Sequence, residues 1–260
     1  MSEAELLIER DGPIASVTLN RPNKRNALTF EMYAGLAEFC RSADGENDLK
    51  VIIVRGAGDK AFAAGTDISL FREFQGAEDG LAYEKKIDGV LSDIEACPKP
   101  IIAAITGACT GGGAAIAGLC DIRLATRDMR FGFPIARTLG NCLSIASLQR
   151  MSALIGMART KELIMTSRFI EADEALGIGL VSELFDDADA LFARANELAA
   201  QIATFAPLTL RATKEMFARM SAAGPAIEDD DLIAMCYASE DFHEGLEAFL
   251  GKRKANWSGR

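Results

Sequence analysis

The chain has 260 residues, 49% hydrophobic and 25% charged, a balance that excludes disordered and fibrous proteins. Its formal net charge of −10 argues against a nucleic-acid-binding protein. The longest apolar runs are too short to span a membrane, and the first residues lack the basic and apolar stretches of a secretory signal. We therefore expect a cytoplasmic globular protein that binds neither nucleic acid nor membrane.

The six cysteines and the single histidine, His243, argue against a metal site. No two cysteines form a Cys-x-x-Cys pair, and in a chain of this length such thiols are typical of buried residues in a reducing compartment. One histidine does not supply the usual His and Cys combinations that bind zinc. We expect no bound metal.

The first two hundred residues alternate predicted strands and helices. Leu6–Glu9 and Ile14–Leu19 flank the turn dipeptide Asp11-Gly12, which predicts a hairpin. Apolar periodicity predicts the remaining elements. They are strands at Leu49–Val54, Ile101–Ile105, Ile122–Ala125, Met129–Phe133 and Leu180–Leu184, and helices over Met32–Ala43, Leu81–Ala96, Gly111–Gly118, Ser144–Leu154, Arg159–Met165 and Ala172–Leu176.

From Ala188 onward the pattern predicts helices alone. They cover Ala188–Ala203, Leu208–Met220 and Ile227–Leu250, with a break at Gly224-Pro225. The chain is therefore α/β to about residue 200 and all-α after it. Several apolar residues of the last helices exceed what a short tail can bury on itself, which favours an oligomer; they are Leu232, Met235, Phe249 and Trp257.

Two loops rich in glycine and alanine are candidate ligand-binding elements. Ala61–Asp67 and Gly107–Gly113 each follow a hydrophobic strand and lead into a predicted helix. Small residues let a ligand approach the backbone, and amides at a helix start are unpaired and partially positive. Two such loops converging on one carbonyl oxygen would form an oxyanion hole. Either loop alone is equally compatible with tight strand-to-helix packing.

Other glycine-rich motifs do not fit these loops. From Gly111, the dinucleotide pattern G-x-G-x-x-G/A requires glycine or alanine at the position of Ile116. From Gly107, a P-loop requires lysine at the position of Gly113. The nucleophile elbow G-x-S-x-G does not occur in the sequence.

Five segments resemble the successive signatures of the enoyl-CoA hydratase/isomerase (crotonase) family, in order and spacing, along nearly the whole chain. They are Asn20–Leu28, Ala61–Ile68, Thr106–Asp121, Phe131–Pro134 and Ser239–Gly245. The resemblance implies an α/β fold with a spiral of ββα units at residues 1–200 and a helical region for oligomerisation and pocket closure at residues 201–260. It also implies a coenzyme A thioester as substrate, no permanently bound cofactor, and a homotrimer or a dimer of trimers.

Carried over by motif position, the resemblance places the thioester oxygen between the backbone amides of Thr66 and Gly112. Thr66 stands where the family usually has a small residue, often alanine. A side chain at Gly112 is expected to stand beside the thioester, so that Gly112→Val blocks binding and leaves the fold intact. Contacts to coenzyme A are implied for Lys24, Arg25, Ala27, Ala63, Ala64, Asp67, Phe249 and Lys252.

The sequence departs from the family hydratases at both catalytic glutamates. Hydration needs one group that takes a proton from water and another that delivers a proton to the α-carbon. The family uses two glutamates, and their positions here hold Ala115 and Ile135. Because a positioned acid or base contributes roughly 10²–10⁴ in rate, hydration is expected to be slow. An intact oxyanion hole would still stabilise an enolate.

The segment Ile135–Ser144 offers other groups in place of the second glutamate. Arg137 could hold a substrate carboxylate through a bidentate contact. Cys142, near a helix start, is either a nucleophile with a lowered pKa or an inert packed thiol. Two more candidate pocket residues are Thr138 and Asn141. Carboxylates from elsewhere in the chain are Asp67, Glu84 and Asp88, and their spacing selects none of them.

The sequence thus predicts an acyl-CoA-processing enzyme, a lyase or isomerase of fatty acid metabolism, that stabilises a thioester enolate or oxyanion. It does not select among isomerisation, decarboxylation and thioester hydrolysis, and it does not identify the acyl chain. The alternative is a family member that binds acyl-CoA, or forms an oligomeric scaffold, without turnover.

Overall fold

Two sheets carry the fold in the computed structural model, which describes residues 4–222, 234 and 237–255. In chain order the strands of these residues are β1 (Leu6–Asp11), β2 (Ile14–Leu19), β3 (Val51–Gly56), β4 (Ala61–Ala63), β5 (Ile101–Ile105), β6 (Ala108–Thr110), β7 (Ile122–Thr126), β8 (Arg130–Gly132), β9 (Ile170–Glu171) and β10 (Glu183–Phe185). The larger sheet has the order β1-β2-β3-β5-β7-β10, and the smaller has β4-β6-β8-β9.

Helices follow the strands and cover the sheets. Within the described residues they are α1 (Phe30–Ser42), α2 (Ala77–Glu95), α3 (Gly112–Leu119), α4 (Ile135–Thr138), α5 (Ile145–Ile155), α6 (Met157–Thr166), α7 (Ala172–Gly177), α8 (Ala188–Ile202), α9 (Pro207–Ala222) and α10 (Glu240–Leu250). None of these helices combines the length and apolarity needed to cross a bilayer.

The chain repeats one unit, which places a strand in each sheet and then adds a helix. β3, β4 and α2 form the first such unit, β5, β6 and α3 the second, and β7, β8 and α4 the third. Strands β2, β3, β5, β7 and β10 pair in parallel, while β1 and β2 form the predicted antiparallel hairpin. The predicted α/β fold built as a spiral of ββα units is confirmed.

The central strands are buried because helices cover both faces of the larger sheet. Val51–Val54 of β3 and all of β5 are at most 2% exposed. Ile52 and Val54 pack in the main core with residues of α1 and α2, whereas Val51 and Ile53 pack against α8. Because both faces of β5 and of Val51–Val54 in β3 are buried, these segments need apolar residues at every position and show no alternation with polar ones. The result is a rigid platform for the loops at the carboxyl ends of the strands.

The elements that were not predicted are the shortest ones. β4, β6 and β9 have two or three residues and α4 has four, too few to show a hydrophobic period. The strand predicted at Leu180–Leu184 begins instead at Glu183. The loops predicted at Ala61–Asp67 and Gly107–Gly113 therefore begin with short strands of the smaller sheet.

The described residues after Ile202 contain helices and connecting turns. The predicted helix Ile227–Leu250 is wrong in part, because the backbone turns at Ala238 and Ser239. The Ser239 hydroxyl accepts the Phe242 N–H and so begins α10 there. The division of the chain at residue 200 stays a prediction. Leu232, Met235, Cys236, Trp257 and the first seven residues of that predicted helix lie outside the described residues.

Candidate active site

The two glycine-rich loops meet at the edge of the smaller sheet. Adjacent parallel strands β4 and β6 bring them side by side, with Ala63 paired to Cys109. Gly65 has a φ of 97° and Gly111 a φ of 52°, values that favour glycine. A Cβ added to Gly111 would lie 3.4 Å from the Gly65 Cα, so the two backbones are in van der Waals contact.

The backbone amides of Thr66 and Gly112 are available at this junction. Leu28 N–H donates to the Gly65 carbonyl at 2.8 Å and Asp67 N–H to the Leu28 carbonyl at 2.9 Å, which fixes the backbone on both sides of Thr66. Gly112 is the first residue of α3, where amides have no intrahelical acceptor. Neither amide donates to another group in the described part of the chain. Both are therefore free to bind one ligand oxygen.

A cavity of about 390 Å³ opens beside these amides. Its walls come from the two loops, from α2, from the start of α4 and from α10. Ala115 and Ile135 both line it, so the positions of the two hydratase glutamates face the same space. The apolar wall is completed by Phe71, Ile87, Leu91, Phe133, Leu139, Leu143 and Phe249.

Glu84 is the single carboxylate among the described residues that line the cavity. It lies on α2 and is only 5% exposed. The Tyr237 hydroxyl donates to Glu84 Oε1 at 2.8 Å. A buried carboxylate held by a hydrogen bond beside two free amides is a candidate acid or base. Of the three carboxylates that the sequence left open, the structure brings this one to the cavity.

Tyr237 holds Glu84 from a part of the chain 153 residues away. Its ring lies directly over Gly80 of α2, where an added Cβ would come within 2.1 Å of the ring. Burial and the nearby charge of Glu84 raise the pKa of Tyr237 far above its ordinary value, so the phenol stays protonated and donates. Asn141 also hydrogen-bonds the Tyr237 hydroxyl. The Asn141 side-chain oxygen is buried without a partner among the described residues.

Three hydroxyl groups adjoin the Thr66 amide. Tyr33 Oη and Thr66 Oγ1 are 2.9 Å apart, and Thr66 Oγ1 and Tyr83 Oη are also 2.9 Å apart. All three residues line the cavity. We call Tyr33, Thr66 and Tyr83 the hydroxyl trio. The motif order pointed to Thr66 for its amide, and no sequence signal linked it to the two tyrosines of α1 and α2.

A buried asparagine and an arginine hold the first loop in place. Asn26 has a φ of 54° and is completely buried. Its amide donates to the carbonyls of Ala57 and Ala61 and accepts the Arg21 N–H. Arg21 also pairs with Asp67 at 2.9 Å. The sequence analysis missed the structural role of both residues, although Asn26 and Arg21 lie within a quoted motif.

Of the eight residues expected to contact coenzyme A, three line the cavity and five do not. Arg25, Ala64 and Phe249 line the cavity. Ala63 is completely buried, Ala27 is half-buried, and Lys24 and Lys252 are exposed. Asp67 is engaged by Arg21 and by the Ser69 N–H and hydroxyl, and it starts the helical turn Ile68–Phe71. Its observed role is to fix the loop at Thr66.

Arg137 and Cys142 lie outside the cavity lining, unlike Thr138 and Asn141, which are part of it. Arg137 is exposed on the four-residue helix α4, so its expected contact with a substrate carboxylate is not supported by its position. Cys142 packs beside the apolar residues Phe71, Leu139 and Tyr237, three positions before α5 begins. That placement fits the packed thiol, since the helix start itself lies at Ser144. Within the described residues, no three His, Cys, Asp or Glu side chains form a metal-binding group.

The expectation that a side chain at Gly112 would stand beside the thioester and leave the fold intact is wrong. A Cβ at Gly112 would lie 1.8 Å from Tyr33 Oη and 3.2 Å from a methyl group of Leu28. The space that a side chain of residue 112 would need is filled by Tyr33 of α1. Packing alone therefore requires glycine at position 112.

The comparisons with known proteins agree with the fold. A family model described as Enoyl-CoA hydratase/isomerase matches residues 9–260. The short-chain-enoyl-CoA hydratase of Clostridium acetobutylicum is 35% identical, covering 96% of this chain and 95% of that protein. A structure of an enoyl-CoA hydratase/carnithine racemase from Magnetospirillum magneticum is 37% identical, with a TM-score of 0.80, covering 100% of this chain and 97% of that one. A methylmalonyl-CoA decarboxylase structure in complex with 2-nitronate-propionyl-CoA is 27% identical, with a TM-score of 0.88 and complete coverage of both chains.

These matches define the class as crotonase-fold enzymes that process acyl-CoA. The chain belongs to the enoyl-CoA hydratase/isomerase family, which the five motifs predicted.

Replacing Gly112 with alanine tests the packing against Tyr33. Because the new methyl group displaces the phenol, we expect Gly112→Ala to destabilise the protein by about 1–3 kcal/mol. In a Tyr33→Phe background the cost should fall, with a coupling of at least about 0.5 kcal/mol in a double-mutant cycle measured by urea unfolding. Gly118→Ala in the same helix is the control, since its Cβ would make ordinary contacts at 3.4–3.5 Å. Equal costs for Gly112→Ala in both backgrounds would contradict the packing.

The ion pair of Asp67 predicts a pH-dependent stability. Burial raises the Asp67 pKa, but hydrogen bonds from Ser69 and Arg21 outweigh burial and hold it below its ordinary value. The stabilisation is therefore present above the unfolded pKa of about 3.9 and is lost as pH falls through the folded value. Asp67→Asn should be less stable than wild type at pH 7, and the difference should shrink at pH 3. Unfolding curves with an unchanged difference at both pH values would disprove this linkage.

Proposed function

We propose that this protein is an acyl-CoA isomerase that forms a thioester enolate and shifts a carbon–carbon double bond, without adding water. The observation that carries the proposal is the number and position of carboxylates. Among the described residues, the cavity is lined by one carboxylate, Glu84, while Ala115 and Ile135 occupy the positions of the two hydratase glutamates.

The proton requirements of the two reactions differ. Hydration needs a base for the attacking water and an acid for the α-carbon. A double-bond shift needs one group, because a base that removes a proton from C2 of a 3-enoyl thioester can return it to C4. The electron pair of the broken C–H bond passes to the thioester oxygen in between. A single buried carboxylate fits the second requirement and not the first.

The Thr66 and Gly112 amides would stabilise the charge that develops on that oxygen. Both amides are free of other acceptors in the described residues, and their loops are held by buried contacts. Donors fixed in advance need no reorganisation when the enolate forms, and each is worth about 10²–10³ in rate. In this arrangement Tyr237 positions Glu84, and Asn141 in turn hydrogen-bonds Tyr237.

The cavity also supports the proposed binding of coenzyme A. Arg25 is exposed at the cavity and Ala64 lines it two residues before Thr66, so both are placed to contact the thioester arm. Phe249 lines the cavity and is 47% exposed, which leaves its ring free to cover a bound ligand. Lys24, Ala27 and Lys252 are proposed to contact the parts of coenzyme A that extend beyond the cavity.

Decarboxylation is the second candidate reaction, favoured by the similarity to methylmalonyl-CoA decarboxylase. Loss of carbon dioxide from a malonyl-type thioester also leaves an enolate on the thioester oxygen. The cleavage itself needs no acid or base, because the carbon dioxide leaves without a proton and its electron pair passes to the thioester oxygen. We prefer the double-bond shift because it gives the buried carboxylate of Glu84 a role, as the base that moves the proton.

The proposed reaction is tested by comparing turnover of an isomerisation substrate with turnover of a hydration substrate. The protein should convert 3-hexenoyl-CoA into 2-hexenoyl-CoA, and should hydrate crotonyl-CoA at least about 10² more slowly than a relative that has both glutamates. Glu84→Gln keeps the shape and the Tyr237 contact but removes the base, so isomerisation should fall by about 10² or more. Products are identified by mass spectrometry and by absorbance of the conjugated thioester.

The matched control is Asp88→Asn, which makes the same chemical change one turn along α2, where Asp88 accepts from Ser144 at 2.9 Å outside the cavity. It should keep wild-type isomerisation. Hydration at the rate of a glutamate-bearing relative, or full isomerisation by Glu84→Gln, would overturn the proposal. Tight acyl-CoA binding without turnover of any substrate, including methylmalonyl-CoA, would favour the non-catalytic alternative.

We further propose that the protein assembles as a homotrimer or a dimer of trimers. Large apolar side chains on and beside α9 are between 48% and 78% exposed, namely Phe205, Leu208, Met216 and Phe217. An exposed apolar surface of this kind is typical of a face that packs against another subunit. Multi-angle light scattering at micromolar concentration should give three or six times the chain mass of 27.8 kDa. A monomer under these conditions would contradict the assembly.

A further inference from the structure

The hydroxyl trio contains one more proton than its hydrogen bonds use. Each hydroxyl group carries a single donor proton and can accept as well. The bonds Tyr33–Thr66 and Thr66–Tyr83 consume two of the three protons. No other hydrogen bond of the three hydroxyl groups is formed within the described residues. One O–H proton of the trio is therefore left to donate elsewhere.

The trio adjoins both residues that supply the proposed oxyanion amides. Thr66 supplies one of those amides and also the central hydroxyl. Tyr33 Oη lies 1.8 Å from where a Cβ of Gly112 would be, which puts the phenol oxygen against the residue that supplies the second amide. Tyr83 reaches the same point from α2 and is half-buried at the cavity. The three hydroxyl groups and the two amides thus belong to residues that line the same part of the cavity.

The surroundings keep all three protons in place at neutral pH. Burial raises the pKa of Tyr33 well above its ordinary value, and the nearby charge of Glu84 raises it further. The same two causes act on Tyr83, with the charge of a Tyr33 phenolate adding to them. Neither phenol can serve as a base under these conditions. Both act as neutral hydroxyl groups, each able to donate one hydrogen bond and to accept another.

We infer that the hydroxyl trio supplies a third hydrogen-bond donor to the thioester oxygen, in addition to the amides of Thr66 and Gly112. This inference rests on the proposed binding of an acyl-CoA thioester at those amides. It gives the threonine a role that alanine, the usual residue at this position in the family, cannot have. The two tyrosines hold the threonine hydroxyl in place at the cavity wall, where the spare proton is available to a bound thioester oxygen.

The Thr66→Val substitution distinguishes the contribution of the side-chain hydroxyl from that of the backbone amide. Thr66→Val keeps the branched shape and the backbone N–H but removes the central hydroxyl, so the trio can no longer share its spare proton. We expect kcat to fall by about 10², the value of one oxyanion donor, with little change in KM. Thr66→Ser, which restores a hydroxyl, should recover most of the activity. Tyr83→Phe should lower kcat in the same direction.

Vibrational spectroscopy measures the third donor without requiring turnover. Butyryl-CoA carrying carbon-13 at its carbonyl is bound to the full-length protein, and the carbonyl stretch is recorded by infrared difference spectroscopy. In wild type the stretch should shift to lower frequency than in water, and in Thr66→Val it should return part of the way. Thr160→Val is the control, because this buried threonine donates within α6 to the Gly156 carbonyl, away from the cavity. It should leave both kcat and the carbonyl frequency unchanged.

The two proposals fail in different ways. A carbonyl frequency in Thr66→Val equal to that of wild type, with kcat also unchanged, would overturn the third donor and leave the isomerase proposal standing. A frequency shift that depends on Thr66 in a protein that does not isomerise 3-enoyl-CoA would support the donor and reject the isomerase. Loss of kcat without a change in frequency would also overturn the inference, since it would show that the threonine acts elsewhere.

Discussion

The contact between the Gly65 and Gly111 backbones is the constraint on which the site depends. It exists because two adjacent short strands end together and because both glycines adopt φ values that side chains disfavour. From this contact follow the direction of the Thr66 amide and the start of α3 at Gly112. The buried Asn26 and the Arg21–Asp67 pair then fix the first loop from outside. Two backbone amides without an acceptor cost free energy of folding. The stability of the central sheet offsets that cost and keeps both amides in place.

The fold separates the stabilisation of charge from the movement of protons. The amides belong to the backbone and survive almost any change of side chain, whereas acid and base groups come from individual residues. Ala115 and Ile135, which stand where the family resemblance implies the two hydratase glutamates, make that part of the wall apolar. A carboxylate on α2, Glu84, then becomes the proton-transfer group under our proposal, held by a tyrosine from the C-terminal part of the chain. The same cavity can in this way support a different reaction on the same class of substrate.

Much of the fold was predictable from the sequence because its central strands are continuous apolar runs. The prediction failed where elements are too short for a period, as in β4 and β6, and where a cap decides the boundary, as at Ser239. The two loops were predictable because glycine-rich motifs are local in sequence, while the role of the Thr66 and Gly112 amides stays a prediction of the family resemblance. Glu84 was one of three candidate carboxylates among which the sequence selected none, because its partner Tyr237 lies 153 positions away in the chain. Arg137 looked functional because of its charge, but the short helix α4 leaves it exposed.

The most direct test of the account is hydrogen exchange at the α-carbon, because it reports enolate formation whatever the final product. Butyryl-CoA is incubated with the protein in D₂O, and deuterium at C2 is measured by mass spectrometry. The account predicts that wild type incorporates deuterium faster than the free thioester does and that Glu84→Gln, although it binds butyryl-CoA, does not. Binding without enhanced exchange in the wild type, or equal exchange in Glu84→Gln, would contradict it.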